Sequence, residues 1–415
     1  MPERSELPRL VASTRRLDTE IDLVEFAGEH GVVFERDGAG VAGRGTALVI
    51  DAGSEPDRVA PAVADSLSAI GVDDEVGLAG CGPVGFGALP FRPDHPRTLV
   101  VPKVIVGRAS DGTRWITHVG PEGHPPDTSD LHPGWPAESD LHPGSVTLRS
   151  GRPPVEWCQA LAEGRQALQD GALHKFVLAR EVVVETEAPL SRAALCRRLR
   201  SAYPGCYVSA IGAMVGASPE LLLSRTGDIV RSRPMAGTAP RSSDPTTDAR
   251  LAAGLLASSK DRTEHQITID MVRDTLLPWC SYLDAEPEPS IVAMANVQHL
   301  ATYVEGRLSV PAASALELVS ALHPTPAVGG HPTAAALDLI DRIEGFDRGA
   351  YAGPVGWVDH RGNGEWAVGI RSAEVTGNRA RVFAGVGVVA DSDPESELAE
   401  TRSKLQAMLS VLLRP

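Results

Sequence analysis

Apolar and polar positions alternate with two periods along this chain, and the clearest alternation lies in its C-terminal part. A Pro/Gly-punctuated loop at 323–332, reading HPTPAVGGHP, leads into a run with helical spacing. Two apolar segments follow, 352–359 and 365–375, joined through Asn363-Gly364, a dipeptide whose tolerance of positive φ favours a hairpin turn. A third expected strand covers 379–390 and contains Ala384-Gly385-Val386-Gly387. A helix is expected to start near Pro394. Period-2 alternation puts Trp366, Val368 and Ile370 on one side of the 365–375 segment, and Glu365, Ala367, Gly369 and Arg371 on the other. On the helix, Glu397, Glu400 and Lys404 fall at i, i+3 and i+7, on one face.

Upstream, 31–34 and 46–51 read as strands, 98–106 as β-rich, and 75–91 as a Gly-rich apolar stretch. The segment 56–70 reads as a helix opening on a proline, which a first helical turn accepts. Residues 1–120 carry no chemical constellation and read as part of a supporting sheet system. Between 121 and 150 Pro, Gly, Ser and Asp dominate, and SDLHPG occurs at 129–134 and again at 139–144. This reads as a flexible, duplicated surface linker, because nothing there would hold His132 and His142 rigidly on a metal. A helix is expected over 154–170, then a strand over 174–180 with Lys175, Val177 and Ala179 on one face. A short strand at 216–223 carries Glu220 at the head of a Leu run, with 228–233 as its hairpin partner. Residues 234–241, including Gly237 and Thr238, read as a turn rich in backbone donors. A long helical region at 247–277 places Asp261 and Glu264 at i, i+3. Gln298-His299-Leu300 opens another strand.

Length changes the picture first, since 415 residues suggest two or three domains. Apolar content of 42% and 22% charged residues suit a globular enzyme. A net charge of −15 repels nucleic acid and anionic lipid, so neither is an expected partner. An anionic small substrate would need a locally basic or metal-loaded site. The five cysteines show no CxxC spacing and fit a reducing compartment. With no apolar leader and no apolar run of membrane-spanning length, the expectation is a cytoplasmic protein.

Each candidate group has two readings. Lys175 is either an edge-strand gatekeeper or a lysine tuned by desolvation or a nearby cation. Glu220 is either an exposed strand end or a buried acid. Arg371 among small neighbours is a surface arginine or the floor of a carboxylate site. Gly385 and Gly387 share a face, which suits a bend or a close approach of backbone N–H groups to a ligand. The acidic pairs are solvated helix faces or first-turn acids complementing a dipole. If their two helices face each other, they form an oxygen-rich site suited to Mg²⁺.

The run LHPTPAVGG…FDRGAYAGPVGWVDHRGNGEWAVGIRSA…RVFAGVGVVADSDPESELAETRSKLQAML resembles the C-terminal signature of chorismate-utilising enzymes, and among them the isochorismate synthases. The resemblance covers 150–413 strongly and the N-terminal third more weakly. It implies an α/β fold of the α+β type, a single large anthranilate synthase component I-like domain with antiparallel sheets stacked between helices. Within it, 1–120 would be the N-terminal part of the sheets, 121–150 the linker and 151–415 the catalytic region. It implies Mg²⁺ on Glu264 and Glu400, with Asp261 and Glu397 in support. Lys175 would be the base that activates water and Glu220 the acid that protonates the departing hydroxyl. Lysine would then have to fall from about 10.4 toward roughly 7–8, and Glu220 to rise. The substrate's ring carboxylate would lie at the metal near Gly237 and Thr238, with His299 near the ring. Its enolpyruvyl carboxylate would meet Arg371, the backbone of Gly385, Val386 and Gly387, Tyr351 and Lys404. Ala327 stands where aminating and salicylate-forming relatives tend to carry Thr, and so favours isochorismate as the product, by water addition at C2 with loss of the C4 hydroxyl. The expected enzyme is a monomer needing no glutaminase subunit, serving menaquinone or siderophore/salicylate biosynthesis. A salicylate synthase eliminating pyruvate in the same site is the alternative, and a non-catalytic metal- or anion-binding protein a distant one.

Overall fold

The computed structural model describes residues 9–122, 144–171 and 173–413. Among these, the strands gather into a thirteen-stranded sheet, a nine-stranded sheet and a small three-stranded sheet. One apolar cluster joins the two large sheets face to face, with Phe34, Ile105 and Trp115 of the first meeting Phe86, Leu99 and Trp366 of the second. On the outer face of the larger sheet, Val184, Val382 and Ala384 pack against helices Arg192–Ala202 and Pro394–Leu413. A further cluster seats helices Pro154–Gln169 and Thr333–Ile343 on Phe176, Leu178 and Val386. The result is the expected stack of sheets and helices in one domain, antiparallel throughout the described strands except where Leu10–Arg16 pairs with Gly71–Asp74. No helix among the described residues is long and apolar enough to cross a membrane.

Both large sheets draw on both parts of the chain. Val32–Arg36 pairs with Tyr207–Ile211 in one, and Val84–Ala88 with Pro354–Asp359 in the other. Val146–Ser150, inside the segment read as a linker, is a strand paired with Lys175–Thr186. His132 and His142 of the duplicated motif lie outside the described residues.

Three segments that read as β-rich or as single strands each divide between the sheets. Residues 98–106 divide at Pro102 into Arg97–Val101 and Val104–Arg108. Residues 216–223 divide at Pro219-Glu220 into Met214–Ser218 of the larger sheet and Leu221–Thr226 of the smaller. Residues 365–375 divide at 369–371 into Gly364–Val368 and Ser372–Thr376, with Arg371 at φ 51°. Apolar periodicity misses such crossings because the strands on either side are buried alike. The last two crossings are neighbours, since the strands before and after them pair with each other. At the seam, Val368 N–H donates to the Glu220 carbonyl and Ala217 N–H to the Arg371 carbonyl, each at 3.1 Å. Glu220 and Arg371 therefore stand on adjoining kinks where the two sheets part.

Two turn assignments change as well. Gly364 is already paired with Val358, so the hairpin turn is 360–363 with Gly362 at φ 78°. Asn363 bonds the Asp359 carboxylate through its side-chain amide at 2.9 Å, which favours the wider turn. Residues 234–241 are not a turn but the strand Met235–Pro240, bulged at Gly237, which sits at φ 78°. The bulge re-aims the backbone beside the cavity described next.

Candidate active site

Lys175 opens a strand that is flanked by Arg379–Val388 on one side and Gly330–His331 on the other, so it is no edge gatekeeper. The side chain is fully buried, and its Nζ lies 2.7 Å from Glu264 Oε1. Gly387 makes room for this pair. A Cβ there would stand 2.6 Å from Glu264 Oε1 and 3.0 Å from Lys175 Cε, so any larger residue would push the two apart. Two pairs further along the same ladder, the carbonyl of Gly385 accepts from Lys404 Nζ at 2.9 Å.

The acids come from the opening turns of two helices, Ser259–Leu276 and Pro394–Leu413. Ser258 caps the first, accepting from Asp261 N–H at 3.2 Å, while its hydroxyl donates to the Asp261 carboxylate. Asp261, Glu264, Glu397 and Glu400 all line one cavity. Burial pushes Glu264 up, but Lys175 and then Lys404 and Lys260 bring it below its ordinary value. Burial raises Glu397, and the neighbouring Glu400 adds to the effect. Lysines answer three of the four acids: Lys175 on Glu264, Lys404 on Glu400 at 2.6 Å, and Lys260 near Glu397 at 3.8 Å. No group of three or more His, Cys, Asp or Glu side chains among the described residues converges on a single point to hold a metal. The donor set nonetheless suits Mg²⁺, which takes one or two carboxylates and completes its shell with water and substrate oxygens.

Glu220, also on the cavity wall, is buried rather than the exposed end of a strand. Burial pushes its carboxyl up to about 7, against the opposing pull of the Met235 N–H, Lys175 and Arg371. Arg371 is buried at the same cavity and donates through one terminal nitrogen to His299 Nε2 at 3.0 Å. A guanidinium only donates, so His299 Nε2 accepts and Nδ1 carries the proton. Nδ1 lies 3.2 Å from the Gly237 carbonyl and 3.1 Å from Thr238 Oγ1. Burial, reinforced by Arg371 and Lys404, holds His299 well below its ordinary value, and the neutral ring is a brace for Arg371.

Gly237, Thr238, Ala327, Gly385, Gly387 and Lys404 all border the cavity, as sequence reasoning expects. Lys175 stands one rank behind, against the lining Glu264. Val386 turns its side chain into the apolar cluster on the opposite face, leaving only its backbone on offer. Tyr351 packs behind Gly385, stacked on Phe383 at a centroid distance of 4.9 Å. Sequence reasoning misses Met235, Ala236 and Lys260, which also line the cavity. For Lys260 there was a signal: a lysine in a first helical turn opposes the helix dipole and wants a reason to be there.

The family model for chorismate binding enzymes matches residues 130–413. The chain is 42% identical over 350 residues to MenF of Mycobacterium tuberculosis, an alignment covering 80% of this chain and 87% of that protein. It is 42% identical over 270 residues to the isochorismate synthase DhbC of Bacillus subtilis, covering 62% of this chain and 68% of DhbC. The solved structure of MenF, the menaquinone-specific isochorismate synthase of Escherichia coli, matches with a TM-score of 0.81 at 23% identity, covering 98% of this chain and 95% of that one, a likeness of fold.

Proposed function

The chain belongs to the chorismate-binding enzyme family, and from that premise we propose that it is a magnesium-dependent isochorismate synthase. The observation that carries this reading is Glu220, a carboxyl poised at about 7 on a cavity shared with the buried Arg371. A carboxyl tuned near the working pH is suited to giving up a proton, and a buried guanidinium to seizing a carboxylate.

Water adds to C2 of chorismate as the C4 hydroxyl leaves and the ring double bonds shift. Lys175, in its uncharged form, takes the proton from the incoming water, and Glu220 delivers one to the departing hydroxyl. Arg371, braced by His299, meets the enolpyruvyl carboxylate, with Lys404 and the Gly385–Gly387 backbone alongside. Glu264 and Glu400 would hold Mg²⁺, with Asp261 and Glu397 in support, and the ion would neutralise the ring carboxylate. Ala327 leaves the reacting face small, which suits release of isochorismate over elimination of pyruvate. We place the enzyme in the cytoplasm, acting as a monomer without a glutaminase subunit, and its product in menaquinone or siderophore/salicylate biosynthesis.

The test is product analysis by chromatography after incubating the purified chain with chorismate, with and without Mg²⁺. Isochorismate should accumulate only with the metal. Intact chorismate, or salicylate as the main product, would overturn the reading.

A further inference from the structure

The strand that begins at Lys175 has a gap in its ladder on one side. Gly330–His331 pairs with Lys175 and Phe176, and Val146–Ser150 pairs with Val182–Thr186 further on. Between them the backbone groups of Val177 and Ala179 point into the protein with no neighbouring strand. Buried backbone groups need partners, and here side chains and one loop supply them. Val177 N–H donates to the Gly329 carbonyl at 2.8 Å, and the Ala179 carbonyl accepts from the Trp157 indole at 3.0 Å. Ala179 N–H donates to Glu344 Oε2 at 2.7 Å. The Val177 carbonyl accepts from Arg348 at 2.8 Å.

Arg348 and Glu344 are both buried and form a two-point ion pair, at 2.5 and 2.7 Å. The guanidinium lies over Phe91, 4.1 Å from the ring centroid, and its remaining terminal nitrogen donates to the Val328 carbonyl at 2.9 Å. Val328 follows Ala327, which lines the cavity. A single planar group thus grips the Lys175 strand at Val177 and the Ala327 loop at Val328. It touches neither the cavity nor any residue given a chemical role above.

We propose that Arg348 is a positioning residue that sets the spacing between the Lys175 strand and the Ala327 loop, and through it the choice between releasing isochorismate and eliminating pyruvate. This rests on the isochorismate synthase reading. The fork matters as much as the charge: lysine would keep a cation beside Glu344 but cannot hold two carbonyls and a carboxylate in one plane. Displacements of about 1 Å in a preorganised site change rates by about a hundred-fold, so the loss of one grip is enough to be seen.

The experiment compares the parent with Arg348→Lys and with the double variant Arg348→Met/Glu344→Leu, which removes both buried charges together. Hydrogen–deuterium exchange is followed by peptide, and isochorismate and pyruvate are measured from the same reactions. The expected result is faster exchange at 175–180 and 325–331 together, with Pro354–Asp359 and Gly364–Val368 unchanged. The kcat should fall by about ten-fold or more with KM moved far less, and pyruvate should rise several-fold as a share of turnover. Should either folded variant keep parental exchange in both segments, or the parental product ratio, the proposal is overturned. A parent that consumes no chorismate defeats the functional reading instead, and the exchange measurement still decides whether Arg348 joins the two segments.

Discussion

Glu220 owes its chemistry to the backbone at the seam between the sheets. Pro219 has no N–H to offer a ladder, the chain leaves one sheet there, and the next side chain falls into the gap instead of onto a sheet face. Burial favours the neutral carboxyl, and its value of about 7 sets the sign of the pH dependence. The proton it must donate is present below about 7 and lost above it, so kcat should decline as pH rises through that value. Stability moves the same way: the folded chain holds this proton more tightly than the unfolded one, so Glu220 weakens the fold as pH rises from the ordinary carboxylate range toward 7. Glu220→Gln should cut kcat by about 10²–10⁴-fold and melt higher than the parent at pH 8. A kcat–pH profile and melting curves at pH 5 and 8 check both halves. A variant with the parental kcat would dismiss Glu220 as the acid. Arg371 shows the complementary limit of sequence reasoning. Period-2 alternation groups it with Gly369 on one strand face, yet its direction comes from φ 51° at the crossing and from the brace of His299, 72 positions away and outside any local pattern.

At the scale of elements, two helix beginnings carry all four acids, and their spacing was legible because i, i+3 pairs declare a shared face. That the faces meet was not legible, since it depends on the long ladder between Lys175–Thr186 and Arg379–Val388 that brings the segments together. Helix limits near 154, 247 and 394 were readable from proline and apolar spacing. The sheet crossings were not, and neither was the Glu344–Arg348 pair, whose i, i+4 spacing looks the same on an exposed helix. The cap at Ser258 gives an element-scale prediction. Ser258→Ala leaves Asp261 N–H without its acceptor and should cost about 1 kcal/mol of stability, read by denaturant titration. The same change frees the Asp261 carboxylate from the serine hydroxyl, so KM should shift more than kcat. An unchanged midpoint would mean that packing alone sets the start of this helix.

For the whole molecule, a net charge of −15 works against a substrate that is itself a dianion. The cations near the cavity act at short range, whereas the surrounding acids repel from a distance. Salt shortens that reach, from about 30 Å at 0.01 M to about 8 Å at 0.15 M. With Mg²⁺ saturating, kcat/KM should therefore rise by about two-fold over this range, and a fall would show local attraction governing encounter. The order of the strands has a consequence for biosynthesis. Arg379–Val388 enters the thirteen-stranded sheet between Lys175–Thr186 and Ser372–Thr376, both made before it. A chain growing on a ribosome must present the long Lys175–Thr186 edge unpaired until that late segment emerges, and an open, apolar edge is a template for other chains. The same insertion that draws Gly387 up to Lys175 thus leaves this edge of the nascent protein open until residues 379–388 have been made.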